Sequence, residues 1–304
     1  MASSRQTIVC GVDGSPESAD ALAVAGEMAQ RTSAELVLVH AVEPAVVVAA
    51  PLGYRTLGTP SFDLTLEAGR KLLHDAALEV TTTEPRLRVA VGPPVQALID
   101  VAEDEDAVLL VVGSRGRGAL ATALLGSTSA ALSSAAPCPV VVVPPEAKRL
   151  GEGPVLCAVD MSEQAVPAVR IAAELALALG NELALAHVAG TQAPARPAAL
   201  PLVVELERKR AEHVLAEVAV VAQLGTGVAR IVLFGEVAQE VAAAAQELGA
   251  SLVVTGSRGL GPFAGALRDS KSSRLGSRAA CAVAVVPPAA AAAYRPKNTQ
   301  IEAD

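Results

Sequence analysis

Two short stretches, IVCGVDGS at residues 8–15 and VLCAVDMS at residues 155–162, show that the chain repeats itself. Each is a run of apolar residues that ends in an aspartate, and these two, Asp13 and Asp160, are 147 positions apart. Three further pairs follow in the same order: LVLVHAV (36–42) with LALAHVA (183–189), VVGSRGRG (111–118) with VVTGSRGLG (253–261), and PCPVVVVPP (137–145) with ACAVAVVPP (280–288). The 304 residues therefore contain one unit written twice.

Each repeat is predicted to alternate strands and helices. In the first repeat, the predicted strands lie near 7–12, 35–41, 86–91, 107–112 and 138–143, and the predicted helices near 16–32, 63–82, 93–104 and from about 126. The strands are continuous apolar runs, which is typical of parallel strands covered on both faces. Strand–helix alternation with right-handed crossovers predicts an α/β fold, a doubly wound sheet with helices on both faces.

The domain boundaries follow from the repeat. We place the first domain at residues 1–145, a linker at 146–153, the second domain at 154–288 and a disordered tail at 289–304. The Pro, Gly and charged residues of the linker fit a short exposed connection. The tail has no pattern that could pack, so we expect it to be disordered.

The composition excludes several classes of protein. Apolar residues make up 52% of the chain, which excludes a disordered protein. Aromatic residues make up only 2% and the net charge is −8, which argues against a nucleic-acid partner. There is neither a signal peptide nor an apolar run of 18 residues, so we expect a cytoplasmic protein with no membrane partner.

The net negative charge of the chain comes from its first half. Residues 1–146 hold 9 basic and 17 acidic residues, whereas residues 147–304 hold 15 of each. The two repeats therefore share an architecture but differ electrostatically.

The cysteines and two of the histidines follow the repeat and are predicted to be core residues. The cysteine pairs are Cys10 with Cys157 and Cys138 with Cys281, and the histidine pair is His40 with His187. Cysteines at matching strand positions act as small apolar side chains, and no metal-ligand spacing is present. Histidines inside apolar strands are predicted to be satisfied core residues, so we assign neither catalytic nor metal-binding residues.

Two features fall at the carboxyl ends of predicted strands, where ligands bind in doubly wound sheets. One is Asp13 with the following Gly14 and Ser15; the other is the loop 113–129. Glycines let backbone N–H groups approach an anion, and a helix that begins at Ser127 would direct its free N–H groups and positive dipole end at the same point. Together these parts describe a nucleotide pocket.

Two simpler interpretations of these features remain open. A glycine-rich turn between a strand and a helix is often only a tight turn, and Asp13 alone could be the N-cap of the helix near 16–32. Neither GxxxxGK[ST] nor GxGxxG occurs, so the loop is neither a Walker loop nor a dinucleotide fingerprint.

The chain resembles the universal stress protein family. Residues 113–127 match its ATP-binding signature G-2x-G-9x-G-[S/T], and IVCGVDGSPES, PCPVVVVP and the turn Gly92-Pro93-Pro94 also resemble it. The resemblance implies two tandem flavodoxin-like domains of the adenine nucleotide alpha hydrolase-like type. Each would have a five-stranded parallel sheet of order 3-2-1-4-5, with ATP between strands 1 and 4.

The resemblance also implies which residues contact ATP. For the adenine and ribose they are Asp13, Ala41 or Val42, and Gly92, and the cofactor-binding set also includes Gly14 and Ser15 beside Asp13. For the phosphates they are Gly113, Gly116, Gly126, Ser127 and Thr128, with Arg115 either adding positive charge or pointing to solvent. Mg²⁺ could accompany the ATP, held by Asp13 through water.

The second repeat departs from this signature. Gly256 and Gly259 are kept, but Asp269 stands where the third glycine is expected, and Met161 replaces Gly14. A carboxylate about 4 Å from a phosphate charge costs about 1–4 kcal/mol, depending on the dielectric. Five basic residues lie in or near the same loop: Arg258, Arg268, Lys271, Arg274 and Arg278. Three interpretations of this cluster remain open: it rescues anion binding, it forms a protein interface, or it is a solvated face. We predict that ATP binds mainly in the first repeat.

Three functions are compatible with this sequence. The leading hypothesis is an ATP-binding stress-response or signalling module that works by conformational or assembly change without efficient turnover. The second is slow ATP hydrolysis or self-phosphorylation at Ser127 or Thr128. The third is an interaction protein that responds to cyclic AMP or to no nucleotide.

The resemblance further implies assembly through the last strand of each repeat, here 138–143 and 281–286. An uncovered Val-rich edge needs a partner. We expect an intramolecular pseudo-dimer and, in addition, a homodimer.

Overall fold

The computed structural model describes residues 6–43, 62–80, 83–115, 126–145, 147, 149–162, 164–189, 200–257 and 281–294. Over these residues the strands are β1 (Thr7–Gly11), β2 (Glu35–Val42), β3 (Arg86–Val91), β4 (Ala107–Gly113), β5 (Val140–Val143), β6 (Val155–Ala158), β7 (Leu183–Ala189), β8 (Ala229–Phe234), β9 (Leu252–Gly256) and β10 (Ala282–Val286). The helices are α1 (Pro16–Thr32), α2 (Phe62–Ala77), α3 (Pro94–Asp104), α4 (Ser127–Ala135), α5 (Ala165–Leu179), α6 (Leu200–Val221), α7 (Val237–Leu248) and α8 (Pro288–Ala293). The predicted elements of the first repeat are all present; the helix predicted to reach residue 82 ends at Ala77.

All ten strands belong to one sheet, whose order is β3-β2-β1-β4-β5-β10-β9-β6-β7-β8. Within each repeat every neighbouring pair is parallel, and the first, second, third, fourth and fifth strands lie in the order 3-2-1-4-5 that the resemblance implies. The predicted α/β class with a parallel-dominated sheet is confirmed.

The two repeats join through their last strands. Strands β5 and β10 pair antiparallel, with Val142 opposite Val283, Val141 opposite Ala284 and Val140 opposite Val285. The intramolecular pseudo-dimer expected from the sequence is therefore present. Because each Val-rich edge covers the other, the edge that motivated the expectation of a homodimer is already used inside one chain.

Helices cover both faces of the sheet, and the two faces are organised differently. On one face α1, α2, α5 and α6 pack on a single apolar core that continues across the junction between the repeats. On the other face there are two separate cores, one under α3 and α4 and one under α7. Small residues let the helices lie close to the sheet: in α1, Ala21, Ala25 and Ala29 are all buried.

The connection between the repeats is only in part the exposed linker that its composition predicted, since Arg149 and Glu152 are exposed but two other residues are not. Ala147 and Leu150 are buried in the continuous core. The backbone N–H of Leu150 donates to Oε2 of Glu27 on α1, at 3.0 Å. The prediction of exposure is therefore wrong for Ala147 and Leu150, because the surface that covers them includes α1, far away in sequence.

The beginning of the predicted disordered tail is ordered and repeats the linker's mode of packing. Residues 288–293 form α8, Ala290 is buried, and the Tyr294 hydroxyl donates to Oε1 of Glu174 at 2.6 Å. Ala290 corresponds to Ala147 and Glu174 to Glu27 in the repeat. The tail prediction is thus wrong for residues 289–294, and residues 295–304 lie outside the described part of the chain.

The four cysteines are free thiols and belong to the cores, as predicted. Three are buried, and Cys281 is partly buried. Burial raises the pKa of each thiol to about 12, so the thiolate form is suppressed at neutral pH. These side chains act as small apolar residues.

The outer strand of the first repeat, β3, carries an ion network. Arg88 donates to Glu105 at 3.0 Å and to Asp104 at 3.1 Å, and Arg86 also bonds to Glu105. Glu105 and Asp104 lie at the C-terminal end of α3, beside the strand. Charged side chains on an outer strand discourage pairing with another chain.

The ion network predicts a pH dependence of stability. Burial opposes ionisation of Glu105, but the hydrogen bonds from Arg86 and Arg88 outweigh it and hold the pKa of this carboxyl below its usual 4.5. A depressed folded-state pKa stabilises the protein above the unfolded-state value, and this contribution is lost as the pH falls through the folded-state value. We expect Glu105→Gln to flatten the fall in the free energy of unfolding below about pH 4.5.

Urea unfolding from neutral to acidic pH measures this effect. The matched control is Glu103→Gln, an exposed residue on the same helix, which should keep the wild-type pH profile. An unchanged profile in Glu105→Gln would contradict the prediction.

Candidate functional site

The turn after β1 is built around Asp13. Its Oδ1 accepts hydrogen bonds from the backbone N–H of Ser15 at 2.9 Å and from the Ser15 hydroxyl at 2.6 Å. Ser15 Oγ in turn accepts from the N–H of Ser18 at 3.2 Å, so Ser15 is the N-cap of α1. The alternative that Asp13 is the N-cap of α1 is wrong, because Asp13 instead accepts hydrogen bonds from Ser15, which is the N-cap. Gly14 has φ of +78°, a conformation that favours glycine.

Gly113, at the end of β4, lets the first turn of α1 lie directly against this strand. A Cβ at Gly113 would be 2.7 Å from the carbonyl oxygen of Glu17, closer than real Cβ atoms approach backbone. The turn after β1 and the carboxyl end of β4 are thereby in backbone contact. They meet at the point where the strand order reverses, since β1 lies between β2 and β4.

The start of α4 is fastened to the end of β4. The N–H of Gly126 donates to the carbonyl of Ser114 at 2.7 Å, and the Ser129 hydroxyl lies 3.0 Å from the same carbonyl. Gly126 is the N-cap of α4 and offers no side chain to the first turn. The N–H groups of Ser127 and Thr128 therefore lack a capping side chain, and Ser127 is exposed. Such a helix start suits an anion.

Arg115 lies beside this helix start. The Cβ that Gly126 lacks would be 3.3 Å from the Cα of Arg115. Within the described residues, the buried Nε of Arg115 has no hydrogen-bond acceptor. A buried guanidinium N–H without a partner fits a nearby negative group.

The end of β2 completes the crevice on the other side of Asp13. The N–H of Val12 donates to the Val39 carbonyl at 2.8 Å, and His40 Nδ1 lies 2.7 Å from the Val12 carbonyl. Because a carbonyl only accepts, Nδ1 carries a proton. Ala41 and Val42 continue β2 just beyond this point. His187 makes the same bond to Val159 at 2.7 Å, so both histidines are hydrogen-bonded as predicted, but both are half-buried and are not the core residues that the sequence predicted.

Gly92 is farther from the crevice than the other predicted residues. Its N–H donates to the Val42 carbonyl at 3.0 Å, at the end of the outer strand β3. Strand β2 separates it from Asp13. Gly92 has φ of +139° and open space where a Cβ would be, so the turn itself explains the glycine.

A cleft of about 600 Å³ adjoins the Asp13 turn and was not predicted from the sequence. It lies between α1 and α2 and is lined by Gly14, Ser15 and His40 on one side and by Thr65 and Gly69 on the other. A Cβ at Gly69 would be 3.0 Å from the His40 ring. The signal in the sequence was this glycine within an otherwise regular helix.

The equivalent crevice of the second repeat is built differently. Asp160 still accepts from Ser162, at 3.0 Å from the N–H and 2.5 Å from the hydroxyl, but an exposed Met161 replaces the glycine. Gln164 precedes α5 and accepts from the Ser257 hydroxyl at 3.2 Å. In the second repeat a side-chain hydrogen bond therefore joins the helix start to the end of β9, whereas in the first repeat the backbone of α1 lies directly against Gly113 at the end of β4.

Several predicted residues lie outside the described part of the chain. They are Gly116 in the first repeat and, in the second, Gly259, Asp269 and the basic residues Arg258, Arg268, Lys271, Arg274 and Arg278. Among the described residues, no three His, Cys, Asp or Glu side chains cluster as metal ligands would. No described helix has the length and apolar character needed to cross a membrane.

Both halves of this architecture match one family model, that of the universal stress protein family, over residues 4–144 and 153–287. The chain belongs to the universal stress protein family. A universal stress protein of Mycolicibacterium smegmatis is 32% identical over 291 residues, which cover 92% of this chain and 97% of that protein. Tandem universal stress protein domains are thus confirmed.

A solved structure of a universal stress protein supports the fold. The crystal structure of one from Archaeoglobus fulgidus is similar over 93% of this chain and 98% of its own, with a TM-score of 0.59 and 18% identity. A second universal stress protein, solved in complex with cAMP, is 29% identical and covers 47% of this chain and 99% of its own, with a TM-score of 0.36.

The two universal stress protein repeats offer a matched test of the crevice geometry. Gly113→Ala should lower the free energy of unfolding by about 1–3 kcal/mol, because its Cβ would overlap the Glu17 carbonyl. Gly256→Ala, the equivalent substitution in the second repeat, places a Cβ at an ordinary 3.7 Å from Gln164 and should change stability little. Urea unfolding of both variants compares them; equal losses would contradict the backbone contact described here.

Proposed function

We propose that this universal stress protein binds ATP in its first repeat and acts as a nucleotide-dependent stress-response or signalling module. The observation that carries the proposal is the meeting of two features at neighbouring strand ends. The Asp13 turn follows β1, and the uncapped start of α4 is fastened to the end of β4. An acceptor for a nucleoside and a donor site for phosphates are therefore adjacent.

The phosphate end of the ligand would lie at the start of α4. The N–H groups and hydroxyls of Ser127 and Thr128 supply donors that no side chain caps. Gly126 adds no side chain over the start of α4, and Arg115 supplies a positive charge whose Nε lacks an acceptor within the described residues. We propose that Gly113 acts indirectly, by letting α1 pack against β4, and that Gly116 completes the loop.

The nucleoside end would lie over the Asp13 turn. The Asp13 carboxylate is oriented by Ser15 and suits a hydrogen bond from a ribose hydroxyl or from the adenine amino group. At the end of β2 the half-buried Ala41 offers an apolar contact to the adenine ring, whereas the side chain of Val42 is buried. If Mg²⁺ accompanies the phosphates, Asp13 is the carboxylate that would reach it through water.

The second repeat is a poorer site for the same ligand. Met161 stands at the position of Gly14 and is exposed at the turn, and the Gln164–Ser257 bond already uses polar groups at the crevice. The sequence adds Asp269 where the first repeat has Gly126. These differences favour ATP in the first repeat.

We propose binding without efficient turnover, in the cytoplasm. The groups that meet at the crevice are backbone N–H donors, hydroxyls and a carboxylate that is already bonded to Ser15. Such groups bind a charged ligand, and we propose that binding changes the positions of α1 and α4.

Titration calorimetry of the full chain with ATP tests the site. We expect about one ATP per chain, since the second repeat is the poorer site. Asp13→Asn should weaken ATP binding about tenfold or more, because a hydrogen bond to a charged group contributes about 1.5–3 kcal/mol. The matched control is Asp160→Asn, which changes an aspartate in the same turn geometry and should leave the affinity unchanged. Gly126→Asp, which copies Asp269, should weaken binding by about ten- to a thousandfold.

Three outcomes would contradict the proposal. Equal losses of ATP affinity in Asp13→Asn and Asp160→Asn would mean that ATP binds in both repeats or in neither crevice. Cyclic AMP that displaces ATP at lower concentration would make the cyclic nucleotide the ligand. Incubation with γ-labelled ATP separates binding from chemistry, and rapid release of labelled phosphate would show an ATPase.

A further inference from the structure

Two helices begin at the edge of the sheet where the nucleotide of the proposed function would lie. Helix α1 begins after β1, and α4 begins after the neighbouring strand β4. Because the start of a helix directs N–H groups and a positive dipole end at an anion, either start has the general form of a phosphate site. The hydrogen bonds of the two starts differ, and much of the difference comes from Ser18.

The buried hydroxyl of Ser18 joins the first turn of α1 to the residues before it. Ser18 is 4% exposed, and its Oγ accepts from the backbone N–H of Gly14 at 3.2 Å and donates to the Ser15 carbonyl at 2.9 Å. The N–H of Ser18 donates in turn to Ser15 Oγ at 3.2 Å. Ser18 thus holds the Gly14–Ser15 dipeptide at both of its ends.

This bonding makes the start of α1 a poorer site for an anion than the start of α4. Pro16 has no N–H, and the N–H groups of Ser15 and Ser18 already donate to side chains within the turn. The half-buried Glu17 adds a carboxylate to the same turn. The start of α4 has no side-chain cap. Phosphates are therefore favoured at α4, which leaves the Asp13 end of the crevice for the nucleoside.

The second repeat lacks this hydroxyl and begins its helix later. Ala165 stands 147 positions after Ser18, the spacing that also relates Asp160 to Asp13. Helix α5 begins at Ala165 itself, whereas α1 begins at Pro16, two positions before Ser18. Loss of the hydroxyl thus goes together with loss of the first positions of the helix.

We propose that Ser18 is a positioning residue for the nucleotide, an inference that rests on ATP binding in the first repeat. Ser18 is buried and acts through its neighbours: it holds the Gly14–Ser15 dipeptide, and Ser15 bonds to Oδ1 of Asp13. The Asp13 carboxylate is thereby fixed in one orientation before ATP binds. Without the hydroxyl the turn samples other conformations, and the apparent affinity falls with the fraction of molecules that is competent to bind.

Titration calorimetry of the full chain with ATP tests this role. Ser18→Ala, which copies Ala165, should weaken ATP binding about three- to tenfold, the net effect of about one lost hydrogen bond. The matched control is Thr32→Val at the other end of α1. Thr32 Oγ1 also donates to a backbone carbonyl, that of Met28 at 2.7 Å, so this variant loses a similar bond but should keep the wild-type affinity.

A double-mutant cycle separates positioning from a general loss of stability. Because Ser18 acts through Asp13, adding Ser18→Ala to Asp13→Asn should weaken ATP binding by less than about twofold further. Ser18→Cys nearly keeps the shape of the side chain but has only a weak donor and acceptor. It should weaken ATP binding in the same direction as Ser18→Ala, and it keeps the test valid if Ser18→Ala folds poorly.

The results that overturn this role can be told apart. If Ser18→Ala and Ser18→Cys bind ATP as tightly as the wild type, Ser18 does not position the nucleotide, and the proposed function stands. If the losses in Ser18→Ala and Asp13→Asn simply add, or if Thr32→Val loses as much affinity as Ser18→Ala, the effect is a general one on the fold. A wild-type chain that binds no ATP overturns the proposed function itself, and the role of Ser18 with it.

Discussion

The antiparallel pairing of β5 with β10 is the contact on which the rest of this molecule depends. Each of these Val-rich strands is the last of its repeat and would be an open apolar edge without the other. Their pairing fuses two five-stranded sheets into one and lets α1 and α5 share a continuous core. The linker and the C-terminal helix then have a common surface on which to pack.

Most of the fold could be predicted from the sequence because its determinants are local. Continuous apolar runs identify the buried parallel strands, and the doubled pattern identifies the repeats. The burial within the linker and at the start of the tail could not be predicted, since short segments such as EAKRLGEG (146–153) and the Ala-rich 289–293 carry no periodic signal. Ala147 and Ala290 are buried in the shared apolar core, and Glu27 of α1 and Glu174 of α5 bond to the chain a few residues further on, at Leu150 and Tyr294.

The candidate site was predicted in part, and its glycines show why. In the signature, Gly113 and Gly126 are equivalent markers of a phosphate loop, but the structure gives them different physical roles. Gly113 is needed because the backbone of α1 lies where a side chain would be, whereas Gly126 occupies the N-cap position of α4 without a side chain that could bond to the first turn. A one-dimensional pattern cannot separate packing from ligand access, and the cleft near His40 depends on contacts between α1, α2 and β2 that no motif records.

The antiparallel junction also has a directional consequence. All strands of one repeat run opposite to those of the other, so their carboxyl ends lie on opposite rims of the sheet. The first crevice and its counterpart in the second repeat thus open away from each other, and neither can lend a side chain to the ligand of the other. Substitutions at one crevice therefore do not affect the other. For this reason an acidic repeat with an intact signature and an electrically neutral repeat with a broken one can share one core. A partner that binds at the first crevice therefore has no need to contact the second.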